Sequence, residues 1–392
     1  MRVLVIHTTY KLRGGEDTVV ANEVELLRSV NVEVDVLQFS NAHHTLWKVI
    51  QLPFNYSSYV KTKERIRDFK PDIVHIHNLH FAGSPSVIYA IKKCKVPFVL
   101  TLHNYRLLCP SATLFVNGSI FTDSLTQAYP WNAVLKGAYL DSKFLTFWVS
   151  CSMIFHRLIG TWKYVNKFIA LGQDTKKIFS RSTFKFIEAT TIVKPNFCYT
   201  SSSPKRATGK YYLYIGRLSI EKGVNLLLTA FSESGLPLKI IGTGPMEQEV
   251  ISASVKYPNI QFMGVLDKKF VNEQLADATA LIFPSQWFET FGMVIIEAFA
   301  AGVPIIASDI GQLKYTIKQH YNGLRFEAGN VTDLKDKINL YEKLKSTDKL
   351  LYRENAFVSY QEYYTPQKNV KQLMRIYKLV LKNALVPALP AV

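Results

Sequence analysis

Short apolar runs alternate with amphipathic stretches along most of the chain. Residues 3–7, 33–38, 73–77 and 98–102 are rich in Val, Ile and Leu, and they predict strands of a parallel sheet. Residues 18–29, between the first two, carry apolar side chains at helical spacing. Residues 126–165 are aromatic without strand alternation and predict one or two helices, after which residues 168–171 return to strand. A second series follows at residues 211–215, 238–241, 260–263, 280–283 and 305–307. Between the series, Pro195-Asn196 and Ser201-Ser-Ser-Pro204 form a polar, breaker-rich linker. Residues 369–384 regain the helical period, and residues 387–392 read as an unstructured tail. The order implies two doubly wound α/β domains, residues 1–200 and 201–368, with a closing helix at 369–385. No repeat of short fixed period is present.

Composition narrows this picture. A chain of 392 residues accommodates two cores, and 48% hydrophobic with 20% charged residues describes a globular protein. Cys94, Cys109, Cys151 and Cys198 have no paired spacing and read as thiols of a reducing cytosol. The first residues are too short an apolar run for a signal peptide and suit a first strand. The longest nearly apolar run, 144–155, is broken by Thr146, Ser150 and Ser152 and falls short of the ~20 residues that span a bilayer. A cytoplasmic protein, soluble or peripheral at the inner membrane face, is expected.

The net charge is +17, and residues 1–200 hold 24 Lys and Arg against 13 Asp and Glu. Clusters lie at Lys61, Lys63, Arg65 and Arg67, at 92–95, and between Lys163 and Lys185. Such a balance favours a polyanionic partner or is a solvated basic face. No recognition-helix or zinc-knuckle pattern points to nucleic acid, so an anionic membrane surface is the favoured partner.

The densest chemistry lies at residues 284–308. Glu289 and Glu297, separated by seven residues, sit in a strand–loop–helix–strand segment of a parallel sheet. Gly292 permits close backbone approach, and the free N–H groups of a first helical turn suit a phosphate. Carboxylates accept from sugar hydroxyls. The implied ligand is a sugar joined to a phosphate.

This segment resembles the E-x7-E signature of the retaining GT-B glycosyltransferases, in particular family four. Further motifs agree in order: Arg13-Gly-Gly-Glu-Asp17, Val99-Leu-Thr-Leu-His-Asn-Tyr-Arg-Leu-Leu-Cys-Pro110, Tyr214-Ile-Gly-Arg-Leu218 with Glu221-Lys-Gly223, Ile240-Ile-Gly-Thr-Gly-Pro245 and Phe262-Met-Gly-Val265. The resemblance implies two Rossmann-like domains facing across a cleft and a nucleoside-diphosphate sugar, UDP- or GDP-linked, as donor substrate. It implies Arg217 and Lys222 on the pyrophosphate, Glu289 on the transferred sugar and Glu297 on the ribose. Gly216, Gly242 and Val265 fall near the donor, and Phe291, Gly292, Met293 and Val294 would offer backbone N–H groups to it. Gly14 and Gly15 would turn backbone N–H groups toward the diphosphate. His103 would stand near the sugar, either neutral and hydrogen-bonding a hydroxyl or charged and aiding the departing phosphate.

No cofactor and no metal are expected, because the cations and helix N-termini neutralise the diphosphate. His75, His77 and His80 invite a metal reading, but no acidic or thiol partner completes the set. Relatives often carry a Cys-x-x-Cys pair where this chain has Phe121-Thr-Asp-Ser124, so Cys109 reads as structural. The acceptor would be a glycan or a lipid-linked molecule in surface polysaccharide synthesis. A nucleotide-sugar epimerase and a non-catalytic peripheral membrane scaffold are the alternatives.

Overall fold

The computed structural model describes residues 1–9, 14–41, 49–200 and 209–385. Arg13 of the glycine loop, the Ser201–Pro204 part of the linker and the tail at 387–392 lie outside the described residues. The chain divides into two compact units, residues 1–113, 122–195 and 369 onward in one, residues 114–121 and 196–368 in the other.

The first unit is built on β1 (Arg2–Thr9), β2 (Glu33–Ser40), β3 (Ile73–Ile76) and β4 (Phe98–Leu102). After a small antiparallel hairpin of β5 (Phe115–Val116) and β6 (Ser119–Ile120), which falls in the other unit, β7 (Lys167–Ala170) and β8 (Thr191–Val193) complete the first unit's sheet. The order is β2-β1-β3-β4-β7-β8, all parallel. β3 and β4 are buried throughout, which is why they read as largely apolar runs, interrupted only by the mutually bonded His75 and Thr101, rather than alternating ones. Residues 126–165 form two helices, Trp131–Leu135 and Lys143–Leu158. The closing helix Pro366–Leu385 lays Leu373, Ile376, Tyr377 and Val380 onto Val3, Val5, Ile73 and Val99 of the first sheet.

A buried polar knot fastens that helix. Lys194, at the end of β8, donates to Glu23 Oε2 at 2.9 Å and to Asn369 Oδ1 at 3.1 Å, and Asn369 Nδ2 donates to Pro195 O at 2.6 Å. His75 Nδ1 lies 2.7 Å from Tyr377 Oη and its Nε2 lies 2.8 Å from Thr101 Oγ1.

The second unit carries β9 (Tyr211–Ile215), β10 (Leu238–Ile241), β11 (Ile260–Phe262), β12 (Ala278–Phe283), β13 (Ile305–Ser308) and β14 (Gly323–Phe326). Its order is β11-β10-β9-β12-β13-β14, also parallel, which is 3-2-1-4-5-6 in strand sequence. The first sheet instead runs 2-1-3-4-5-6. Connections therefore reverse direction between β1 and β3 in one sheet and between β9 and β12 in the other. Such switch points leave a crevice at the carboxyl ends of the strands, where ligands of this architecture bind.

Candidate functional site

In the second unit, the loops leaving β9 and β12 meet at the switch point. Gly242 sits at φ 144°, and a Cβ there would lie 1.9 Å from Gly216 O. Gly223 sits at φ 73°, and its Cβ would lie 1.9 Å from Pro284 O. Both positions need glycine for conformation and for space. The backbones also bond across, Gln286 N donating to Glu221 O at 2.8 Å.

This close approach brings the basic and acidic motifs together. Lys222 Nζ donates to Glu289 Oε1 at 2.5 Å, and the same oxygen accepts from Ser285 Oγ at 2.7 Å and Trp287 Nε1 at 2.5 Å. Glu289 is only 6% exposed, and Lys222 Nζ stands 4.8 Å from the centre of the Trp287 ring. Arg217 has an exposed side chain with no ionic partner among the described residues. Its backbone is braced by Tyr214, whose hydroxyl donates to Arg217 O at 2.7 Å. Two cations thus stand in one loop region, one held by a carboxylate and one facing solvent.

The helix Met293–Ala300 starts from Gly292 at φ 86°. Met293 and Val294 occupy its first turn, where backbone N–H groups have no partner within the helix. Glu297, further along, is paired with the exposed Lys268. Phe291 is buried against Tyr364, so its ring belongs to the core and only its backbone remains for a ligand. Val265 is exposed after Gly264. Sequence reasoning missed Ser285 and Trp287 as partners of Glu289, and Lys268 as the partner of Glu297. Spacing along the chain gives no sign of which donors converge on one oxygen.

In the first unit, His7, His77 and His103 cluster at the carboxyl ends of β1, β3 and β4. His7 Nε2 lies 2.8 Å from Asp17 Oδ1, while Asp17 Oδ2 accepts from Gly14 N at 2.9 Å. The Gly14 N–H, expected to face a phosphate, is engaged by Asp17 here. A Cβ at Gly14 or Gly15 would meet nothing within 4 Å, so the unit's own packing requires neither glycine.

His103 Nε2 lies 3.0 Å from His77 Nδ1. Burial, followed by the neighbouring His77, holds His103 well below the ordinary histidine range, and burial lowers His77 to about 3. Both imidazoles are therefore held toward the neutral form. Beside it lies an apolar cavity of about 100 Å³, lined by His77, His103, Arg106, Met153, His156 and Trp162 among others.

One correction concerns the histidines and metal. An acidic partner does exist: Glu23, from the helix Gly15–Ser29, faces His75 Nδ1 at 3.1 Å and His77 Nε2 at 3.2 Å. It was hidden because it lies on another element far upstream. His80 turns away, with Nε2 3.4 Å from Tyr139 Oη. The counter-charge to Glu23 is the Lys194 ammonium. Burial would raise the Glu23 carboxyl, but Lys194 and the His75 and His77 imidazoles outweigh it and hold it well below its usual value. With both nitrogens of His75 already bonded, the donor set serves a structural ion pair better than a metal. Cys109 is buried beside Ser111, its Sγ 3.2 Å from Ser111 Oγ.

The family described as Glycosyl transferases group 1 matches residues 199–356, and Glycosyltransferase Family 4 matches residues 13–130. A phosphatidyl-myo-inositol mannosyltransferase of Mycobacterium leprae is 24% identical over 364 residues, 86% of each chain. Sucrose-phosphate synthase from Thermosynechococcus elongatus superposes with a TM-score of 0.71 at 13% identity, over 98% of this chain and 100% of that one. Anabaena HepE in complex with UDP superposes with a TM-score of 0.67 at 15% identity, over 97% and 100%. The two solved structures share the fold, known as GT-B.

Proposed function

The chain belongs to the glycosyl transferases group 1, with the GT-B fold, and from that premise we propose that it moves a sugar, with retained anomeric configuration, from a nucleoside-diphosphate sugar to a glycan or lipid-linked acceptor of surface polysaccharide or glycolipid synthesis. The observation that carries this reading is the Lys222–Glu289 pair, beside the exposed Arg217, at the switch point of the second sheet.

An arriving diphosphate competes with Glu289 for the Lys222 ammonium. As Lys222 turns to phosphate, Glu289 keeps its bonds from Ser285 and Trp287 and gains room for a sugar hydroxyl. Arg217 supplies a fork for a second pair of phosphate oxygens. The N–H groups of Met293 and Val294 add the positive end of a helix. Charge that develops on the leaving diphosphate then meets fixed cations, and this lowers the barrier without a metal. Glu297 accepts from ribose hydroxyls. The leaving phosphate takes the acceptor proton, and the neutral His103 serves as a hydrogen-bonding group rather than a cation. The name of the Mycobacterium leprae relative supports a lipid-linked acceptor, and the UDP of the Anabaena complex makes UDP-sugars the first donors to try.

The protein would work in the cytoplasm, at the inner face of the membrane. No helix among the described residues is long and apolar enough to cross a bilayer. The test is turnover of a panel of nucleoside-diphosphate sugars with membrane lipid extract, in excess EDTA, with the product anomer read by NMR. Consumption of one donor with retention supports the reading. An inverted product, or conversion of the donor to an isomer without acceptor, refutes it.

A further inference from the structure

The helix Lys143–Leu158 is apolar on both faces: Val149, with Leu145, Trp148 and Met153, packs inward against Leu52, Phe81 and Tyr139. Its buried positions are Thr146, Val149, Ser150, Ser152 and His156, four of them polar. The exposed positions carry Phe144 at 73%, Phe147, Phe155 at 52% and Leu158 at 77%. At 3.6 residues per turn, these four fall within about 80° of one another, opposite the buried set. The buried hydroxyls are satisfied locally: Thr146 Oγ1 donates to Ser142 O at 2.6 Å and Ser150 Oγ to Thr146 O at 2.7 Å. His156 holds Pro53 O at 2.7 Å. Nothing in that bonding requires phenylalanine on the outside. An apolar stripe facing water has a cost that an apolar partner removes.

The stripe continues onto its neighbour. The helix Trp131–Leu135 packs against it, with Trp131 55% exposed and its ring 6.2 Å from that of Phe147 and 4.6 Å from that of Tyr129. Leu135 is exposed as well. The charge in this part of the chain is predominantly basic, although Asp123, which accepts from Asn132 Nδ2 at 2.8 Å, and Asp141 are exposed near the surface. From Trp131 to Lys185 the chain holds nine Lys and Arg against two acids, Asp141 and Asp174, and the helix Lys143–Leu158 itself holds no acid. Lys136, Lys143 and Lys163 are exposed at its borders.

We propose that this face docks on a bilayer containing anionic lipid, with Phe144, Phe147, Phe155 and Leu158 entering the headgroup region and the lysines meeting lipid phosphates. Exposed Trp and Tyr beside Phe and Lys are the side chains that partition to that depth. A second copy of the chain would bring the same basic border against itself, which disfavours self-association. The cluster at 61–67 is less available than its sequence suggested, since Arg65 pairs with Asp35 and Arg67 with Asp68. The inner face of the same helix contributes Val149, Ser152, Met153 and His156 to the cavity that holds His103. Docking therefore puts that cavity one helix thickness from the lipid, which gives a lipid-linked acceptor a short route to it. This last step rests on the function proposed above.

The test uses the full chain with vesicles of phosphatidylcholine alone or mixed equally with phosphatidylglycerol. Wild type should pellet with the mixed vesicles at low salt, and a Trp131 fluorescence blue shift should vanish in Trp131→Phe. The triple variant Phe144→Ser, Phe155→Ser, Leu158→Ser should bind the mixed vesicles at least about tenfold more weakly. It should retain the wild type's affinity for nucleoside diphosphates, which reports an intact donor unit. A wild type that ignores both vesicles, or a triple variant that pellets equally well, overturns the proposal. So does a concentration-dependent dimer, by sedimentation, that the triple variant abolishes and vesicles do not compete. Any of these with donor binding and sugar transfer intact sinks the docking surface alone. Absence of nucleoside diphosphate binding in wild type sinks the transferase reading instead.

Discussion

Lys222 and Glu289 lie 67 positions apart and form a 2.5 Å ion pair where the strand order of the second sheet reverses. The pair exists because Gly223 and Gly242 let three backbone segments approach more closely than any Cβ would allow. Donor binding, in this account, is an exchange of partners at Lys222.

Arg217→Ala and Lys222→Ala should each lower kcat/KM by about 10²–10³, or ~3–4 kcal/mol, as loss of a transition-state contact does. They should differ in stability. Arg217 is exposed and its removal should leave the melting temperature unchanged, whereas Lys222→Ala strips the cation from a buried Glu289 and should lower it. Kinetics and thermal denaturation of both variants check this, and near-wild-type turnover in both would refute the assigned site.

Glu289→Gln should impair sugar transfer while nucleoside diphosphate binding holds or tightens, because Lys222 no longer has a competing carboxylate. Glu297→Gln should weaken the diphosphate itself, since a ribose contact exists in ground and transition states alike. Calorimetry with the free diphosphate separates the two, and equal losses in both variants would contradict the division of roles.

Glycine positions provide a third contrast. Gly223→Ala and Gly242→Ala should lower both melting temperature and turnover, because each Cβ meets a carbonyl oxygen at 1.9 Å. Gly14→Ala should leave the fold untouched. A stable Gly14→Ala protein with lost turnover would place a ligand near that backbone, whereas full activity would remove Gly14 from the site.

Acid should loosen the first unit. His77, His103 and Glu23 all titrate below their ordinary values in the fold. A group with a depressed folded pKa stabilises above its unfolded pKa and loses that contribution as pH falls. For His77 the window runs from about 6.5 down to about 3, so the urea midpoint should fall between pH 7 and pH 5. Lys194→Met should cost ~3–5 kcal/mol at neutral pH by leaving Glu23 buried without its cation. An unchanged urea midpoint in that variant would remove the knot as a stabilising element.

Much of this was legible in the chain. Alternation of apolar runs and helical stretches located both series of strands, because strands buried on two faces are largely apolar. β8 and β14 escaped: the first is three residues long, and the second, Gly323-Leu-Arg-Phe326, mixes glycine and arginine into its apolar pair. The E-x7-E and Arg-Lys motifs were visible as local spacing. Their pairing was not, because it is set by glycine-permitted contacts between distant loops. Glu23, on a separate helix, gave no local sign of meeting His75, His77 and Lys194. The outward phenylalanines of Lys143–Leu158 were read only as an apolar run, since which side of a helix faces the core depends on what packs against it.

The proposed function turns on Lys222 exchanging Glu289 for a donor diphosphate. Isothermal titration of a panel of nucleoside diphosphates, with EDTA present, into wild type and Lys222→Ala tests it most directly. One diphosphate should bind wild type without metal and bind Lys222→Ala markedly more weakly. Binding of none of them, or equal affinity for both proteins, would contradict it.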